Sequence, residues 1–159
     1  MSTRQIEIDL SKLLPHQRKL IKSKVRKSCL ICGRGAGKSY ACASLALLYL
    51  LHGRNVLIGG TTHDNLHDTL FAEIKRIAMK WGIYDLITWR ESPMSLEIGQ
   101  AHVWFGFYQA VESVRGYSRV GLIILDEMFL APASILATWV PCCRNSGCKT
   151  RIVGATTPR

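Results

Sequence analysis

The sequence predicts an α/β fold: three layers, α/β/α, around a mainly parallel central sheet, with an antiparallel hairpin added. Three observations carry that expectation. Short apolar runs alternate with segments of helical periodicity, the pattern of parallel strands joined by right-handed crossovers. The run at 28–32 leads into "GRGAGKS", a glycine-rich turn ahead of an apolar helix. "SLEIGQAHVWFGF" alternates about Gly99-Gln100, as two antiparallel strands and their turn do. At 159 residues and 48% hydrophobic, the chain has material for one domain spanning 1–159, with about two-thirds of its unfolded surface buried.

Taken in order, residues 10–25 have helical spacing through Leu10, Leu13, Leu14, Leu20 and Ile21, with Pro15 at a turn or first helical position. Residues 28–32 predict a buried strand. Residues 38–51 are apolar nearly all round, which suits a helix packed on a sheet and covered from outside, and Gly53 and Asn55 stop it. A second strand follows at 56–60. Residues 64–80 read as a helix with Leu66, Leu70, Ile74 and Ile77 on one face and Asp64 as N-cap, which assigns His63 to the helix start rather than to catalysis. The hairpin at 95–107 is expected to decorate the core. A third buried strand at 121–125, a short helix at 132–140 and a last strand at 151–154 complete the chain.

Composition narrows the partners. The formal charge is +10, and Arg18, Lys19, Lys22, Lys24, Arg26 and Lys27 cluster within ten residues of one another. Such a run is either a solvated helix face or a surface for phosphate backbones. Six cysteines include Cys29 and Cys32 at C-x-x-C spacing and a group at Cys142, Cys143 and Cys148. No histidine-rich partner accompanies them, so free buried thiols are expected rather than a metal. No apolar run approaches the roughly 18 residues of a membrane span, and the charged start "MSTRQIEIDLSK" lacks the apolar segment of a secretory signal.

The chemistry concentrates in two motifs. "CGRGAGKS" nearly spells the phosphate-binding loop G-x-x-x-x-G-K-[ST], with Cys32 at the first glycine. Gly33, Gly35 and Gly37 let successive amides around Arg34 and Ala36 converge on an anion, and the following helix adds its positive end. Lys38 is placed to reach the β- and γ-phosphates, and the Ser39 hydroxyl to bind Mg²⁺. Because the converging amides follow Cys32, a thiol at the hinge is compatible with binding. The second motif, "GLIILDEM", puts Asp126 and Glu127 after an apolar strand. There the first acid can hold Mg²⁺ and the second can deprotonate an attacking water. No guanine-reading Asn-Lys-x-Asp occurs, and the acidic pair lacks the glycine of a GTPase switch. ATP is therefore the expected nucleotide.

These residues resemble the ATPase domain of viral terminase large subunits, the motors that pump DNA into tailed-phage capsids. "LLPHQRKL" is similar to that family's adenine-recognition element and assigns Gln17 to the adenine edge. "CGRGAGKS" resembles its phosphate loop, which commonly carries an arginine, here Arg34. "ESVRGYSRVGLIILDE" matches its Arg-Gly upstream of the acidic pair, here Arg115, and "GATTPR" its coupling motif, here Thr156 and Thr157. The resemblance implies a P-loop NTPase fold of the RecA-like, additional-strand class. It implies Arg34, Arg115 and Glu127 as catalytic residues, with ATP and Mg²⁺ as cofactors. Arg34 would act in cis; Arg115 either faces a neighbour's nucleotide or is an ordinary surface arginine.

Double-stranded DNA, a homo-oligomeric ring, a portal protein and a small terminase subunit are the implied partners, with no membrane involved. The implied location is the host cytoplasm, and transiently the viral procapsid. The family normally continues into a lid and a nuclease domain, so 1–159 is expected to be the P-loop ATPase domain alone, without nuclease activity. Two other readings stay open: a helicase-like translocase, and a nucleotide-binding fragment that turns over only with its C-terminal half.

Overall fold

The computed structural model describes residues 6, 8–142 and 149–158. Among the described residues seven strands form one sheet: β1 (Lys27–Ile31), β2 (Asn55–Gly60), β3 (Thr88–Glu91), β4 (Met94–Ile98), β5 (Ala101–Phe107), β6 (Val120–Asp126) and β7 (Arg151–Thr156). Their spatial order is β1-β7-β6-β2-β5-β4-β3. The pairs from β1 through β5 are parallel, and β4 and β3 close the far side antiparallel.

The α helices are α1 (Pro15–Lys22), α2 (Lys38–Leu51), α3 (His63–Leu66), α4 (Ala72–Lys80) and α5 (Ile135–Cys142). One face of the sheet packs against α2 and α4, burying Leu45, Leu47, Phe71, Ile74 and Ile77 against Ile58, Val103 and Ile124. The other face is covered by a 3₁₀ segment at Tyr108–Gly116 and by α5, over Leu57, Ile123, Leu125 and Ile152. The fully buried Trp139 of α5 lies across the ends of β2 and β5. Glycine there is a matter of space, because a Cβ on Gly59 would come within 2.5 Å of its ring and one on Gly106 within 2.9 Å.

Most elements fall where the periodicity puts them, and α2 spans 38–51 as expected. Five expectations change. The helix read over 10–25 starts at Pro15, because the residue before a proline is driven out of the helical region: Leu14 is extended at φ −61°, ψ 152°. The N-cap near residue 64 is Thr62, whose hydroxyl accepts from the Asn65 amide at 3.2 Å. Asp64 sits inside the first turn with its carboxylate in solvent. The helix beyond continues to Lys80 only through a π-helical turn at His67–Phe71.

The hairpin is not a decoration. Its second strand, β5, pairs parallel with β2 from Val56↔Val103 to Gly60↔Phe107 and extends the sheet. Lastly, β1 is an edge strand rather than a buried one: among the described residues it pairs only with β7, and Cys29 and Ile31 are exposed. Cys29, Cys32 and Cys42 are free thiols. Cys143 and Cys148 lie outside the described residues, as does the Cys142 side chain. No helix among the described residues is long and apolar enough to cross a membrane.

Candidate functional site

The parallel strands bring three loops together at their C-terminal ends, where open α/β sheets hold ligands. The loop after β1 carries residues 32–37. Its left-handed positions are Gly35 (φ 73°) and Gly37 (φ 74°), whereas Cys32 is not among the residues of positive φ. A thiol at the hinge thus meets no backbone penalty. The backbone of Cys32 ties the loop down: its amide donates to Thr156 O at 3.3 Å, and its carbonyl accepts from Lys38 Nζ at 2.9 Å. Lys38 Nζ also donates to Gly33 O at 3.0 Å, so the loop holds the ammonium folded against its own carbonyls.

From behind, α1 grips the same loop. Gln17 Oε1 accepts from the Leu14 amide at 2.9 Å, and its Nε2 donates to Gly37 O at 3.0 Å. His16 Nε2 donates to Ala36 O at 2.8 Å. Gln17 is 5% exposed, and its amide is engaged at both ends by backbone. The arrangement makes Gln17 a strut under the loop, and each end of its amide keeps a second hydrogen-bonding position, one N–H and one lone pair.

The acidic pair belongs to the strand after the next one along. Asp126 is the last residue of β6, 8% exposed. Burial above all, and then the neighbouring Glu127, push its carboxyl up to about 6, against a smaller opposing pull from Lys38. A carboxylate whose charge burial disfavours, with no ion-pair partner among the described residues, is a group that a bound cation would stabilise. Glu127 turns away through a left-handed backbone (φ 46°, ψ 51°), which is strained for a non-glycine residue and points the second acid along the cavity. Tyr108 braces this corner, donating to Asp126 O at 2.6 Å and lying 3.3 Å from Gly59 O. Burial pushes the Tyr108 phenol well above its usual range, so it stays a donor.

A cavity of about 370 Å³ collects Arg34, Gly35, Gly37, Lys38, Ser39, Asp126, Glu127 and Thr157 from the sequence-predicted set. A second, of about 390 Å³, adjoins it and is lined by Arg34, Glu127, Thr156 and Thr157 with Phe129 and Leu130. Gly33 and Ala36 belong to the loop without lining either cavity. Arg115 is elsewhere: it pairs with Glu112 on the outer surface beside Thr138 and Pro141.

Four further residues line the first cavity: Tyr40, Asn65, Thr69 and Glu73. Glu73 is held by Arg76 at 2.6 and 2.9 Å. Asn65, Thr69 and Glu73 recur every four residues, flanking the apolar face of Leu66, Leu70 and Ile74, and that polar stripe was the signal available in the sequence.

A family model described as phage terminase large subunit matches residues 24–159. No curated protein matches the sequence. Among solved structures the chain is similar to the large terminase ATPase domain of Thermus phage P74-26, at TM-score 0.78 and 17% identity over 93% of this chain and 66% of that one. It is similar to the large terminase of a thermophilic bacteriophage, at TM-score 0.74 and 13% identity over 91% of this chain and 39% of that one. That second terminase has also been solved in complex with ADP and with ATP-gamma-S. The bacteriophage Phi-29 viral genome packaging motor assembly matches at TM-score 0.61 and 14% identity, over 87% of this chain and 45% of that one. At such identities the likeness is one of fold, and the chain spans at most 66% of the length of these three. The family match, which runs from before β1 to beyond β7, settles the affiliation: the chain belongs to the phage terminase large subunit family.

Proposed function

We propose that the chain is the Mg²⁺-dependent ATP-hydrolysing module of a phage DNA-packaging motor, formed by residues 1–159 as a single P-loop domain. The observation that carries this reading is the convergence of Lys38, Ser39 and Arg34 from the loop after β1, Asp126 and Glu127 from the end of β6, and Thr157 from the end of β7 on one cavity. The nucleotide complexes of the thermophilic-phage terminase support the choice of ligand. Lys38 leaves the loop carbonyls for the β- and γ-phosphates, whose charge replaces two neutral acceptors. Arg34, at the junction of both cavities, neutralises charge developing on the γ-phosphate.

Glu127 takes a proton from the attacking water. As the new P–O bond forms, the bond to the bridging oxygen breaks, leaving ADP and phosphate. Ser39 and Asp126 offer a hydroxyl and a carboxylate, hard oxygen donors that fit Mg²⁺, and that ion would supply charge neutralisation at the phosphates. Thr156 and Thr157 sit where β7 meets the phosphate loop, and Thr156 O already accepts from Cys32 N. They pass the loss of the γ-phosphate to the second cavity. Duplex DNA, a ring of like subunits, portal and small terminase are the partners this reading implies, at the procapsid in the host cytoplasm.

Equilibrium ATP titration and steady-state turnover test it together. Lys38→Ala should abolish tight ATP binding, and Glu127→Gln should keep binding while lowering turnover by roughly two orders of magnitude or more. Unchanged ATP affinity in Lys38→Ala would remove the phosphate-loop assignment. Persisting turnover in Glu127→Gln would move the base elsewhere.

A further inference from the structure

At the end of the sheet opposite the nucleotide cavity, four adjacent parallel strands each start at a cation. In spatial order these are Arg26 and Lys27 at β1, Lys149 just before β7, Arg119 just before β6 and Arg54 just before β2. All five side chains are exposed, and none lies within 4.0 Å of a carboxylate among the described residues. The ends are knitted by hydrogen bonds: Arg26 Nε to Thr150 O at 3.2 Å, Thr150 Oγ1 to Val120 O at 2.9 Å, and Asn55 Nδ2 to Ser118 O at 2.9 Å.

Arg54 and the β6 end are neighbours as well. Arg54 lies 3.5 Å from where a Cβ on Gly121 would stand. A groove of about 340 Å³ beside the row adds Lys22 and Lys24 to Arg26 and Lys149.

We propose that this row is a track for the phosphate backbone of double-stranded DNA, separate from the nucleotide cavity and remote from it by the length of the strands. Strand spacing sets the pitch: four strands about 4.8 Å apart span about 14 Å, which faces roughly four phosphates of one DNA strand at about 3.4 Å of axis each. A single-sign row on backbone-fixed positions matches a regular polyanion, whereas an acidic protein surface mixes both signs. The choice of duplex rests on the packaging function proposed above; the phosphate-binding row itself does not.

The test is fluorescence anisotropy of a labelled random-sequence duplex, without nucleotide, across a salt series. The wild-type log–log salt slope should be roughly −3 to −4. Arg54→Gln with Arg119→Asn (asparagine tolerates the left-handed φ of 56° at 119) should shallow that slope by about two and weaken binding roughly tenfold. Lys24→Gln with Lys149→Gln, at the other end of the row, should do the same. Lys12→Gln, an exposed cation off the row, should change nothing, and basal ATP turnover without DNA should stay at the wild-type rate in every variant.

Duplex binding indifferent to both row pairs overturns the track. So does polyglutamate competing as well as duplex at equal charge, which would indicate an acidic protein partner. Loss of binding in Lys12→Gln equal to that of the row variants overturns it too. A wild-type chain that binds duplex through the row yet never turns over ATP would sink the packaging reading and leave the track standing.

Discussion

At the scale of single residues, Asp126 is the position where apo stability and function oppose one another. Its carboxyl is raised from 3.8 to about 6 in the fold, mainly by burial and then by Glu127. The folded state therefore binds the Asp126 proton more tightly than the unfolded chain does. Its contribution is most favourable below about pH 4 and is lost as pH rises to about 6. In metal-free buffer Asp126→Asn should abolish this loss and stabilise the protein near pH 8 by on the order of 2–3 kcal/mol. The same variant should no longer be stabilised by added Mg·ATP. Thermal melts from pH 4 to 8, with and without Mg·ATP, check both outcomes; a destabilised Asp126→Asn would mean that the carboxylate has a partner in the fold.

Lys38, Ser39 and the acidic pair were legible in the sequence because their chemistry is tied to fixed offsets from glycines and from a strand end. The grip of Gln17 and His16 on the loop from below was not. It depends on α1 lying beneath residues 36 and 37, a contact twenty positions away that no local pattern encodes.

At the scale of elements, the notch that receives Trp139 links three of them. Glycine inside a strand signals a close approach, and Gly59 in β2 and Gly106 in β5 both mark the place where the α5 indole crosses the sheet. Gly59→Ala should cost about 1–3 kcal/mol in urea unfolding through overpacking. Adding Trp139→Leu should make the pair less than additive, since the smaller side chain vacates the contact. Strict additivity would mean that the two positions do not meet.

The π turn at His67–Phe71 and the strand β3 escaped the sequence reading for ordinary reasons. A single inserted residue leaves helical periodicity almost intact over a short window. "TWRE" is too short and too polar to register as a strand until Met94–Ile98 pairs with it.

At the scale of the whole molecule, the order of strands was the least legible feature. Parallel pairings connect residues far apart in sequence, as Lys27↔Ile152 does, and a strand's own composition is nearly silent about its neighbour. The placement of Arg115 follows from that order: it stands on the surface over α5, away from the cavity of its own subunit. If a neighbouring subunit's nucleotide is its target, Arg115→Ala should lower ATP turnover by about 10³-fold or more in the assembled form. The rate of dilute monomer should be unchanged. Turnover measured against protein concentration, with oligomeric mass followed in parallel, separates the cases, and equal loss in the monomer would rule out a role across subunits.

The edge position of β1 has a consequence of its own. The phosphate loop hangs from a parallel strand that, among the described residues, is gripped from a single side, with Cys29 and Ile31 open to water. Whatever anchors that loop, an anion at its amides or Thr156 at Cys32, also fastens the strand to β7. Ligand occupancy and local melting of this border thus draw on a common set of bonds, and the domain is firmest along that margin when it is loaded.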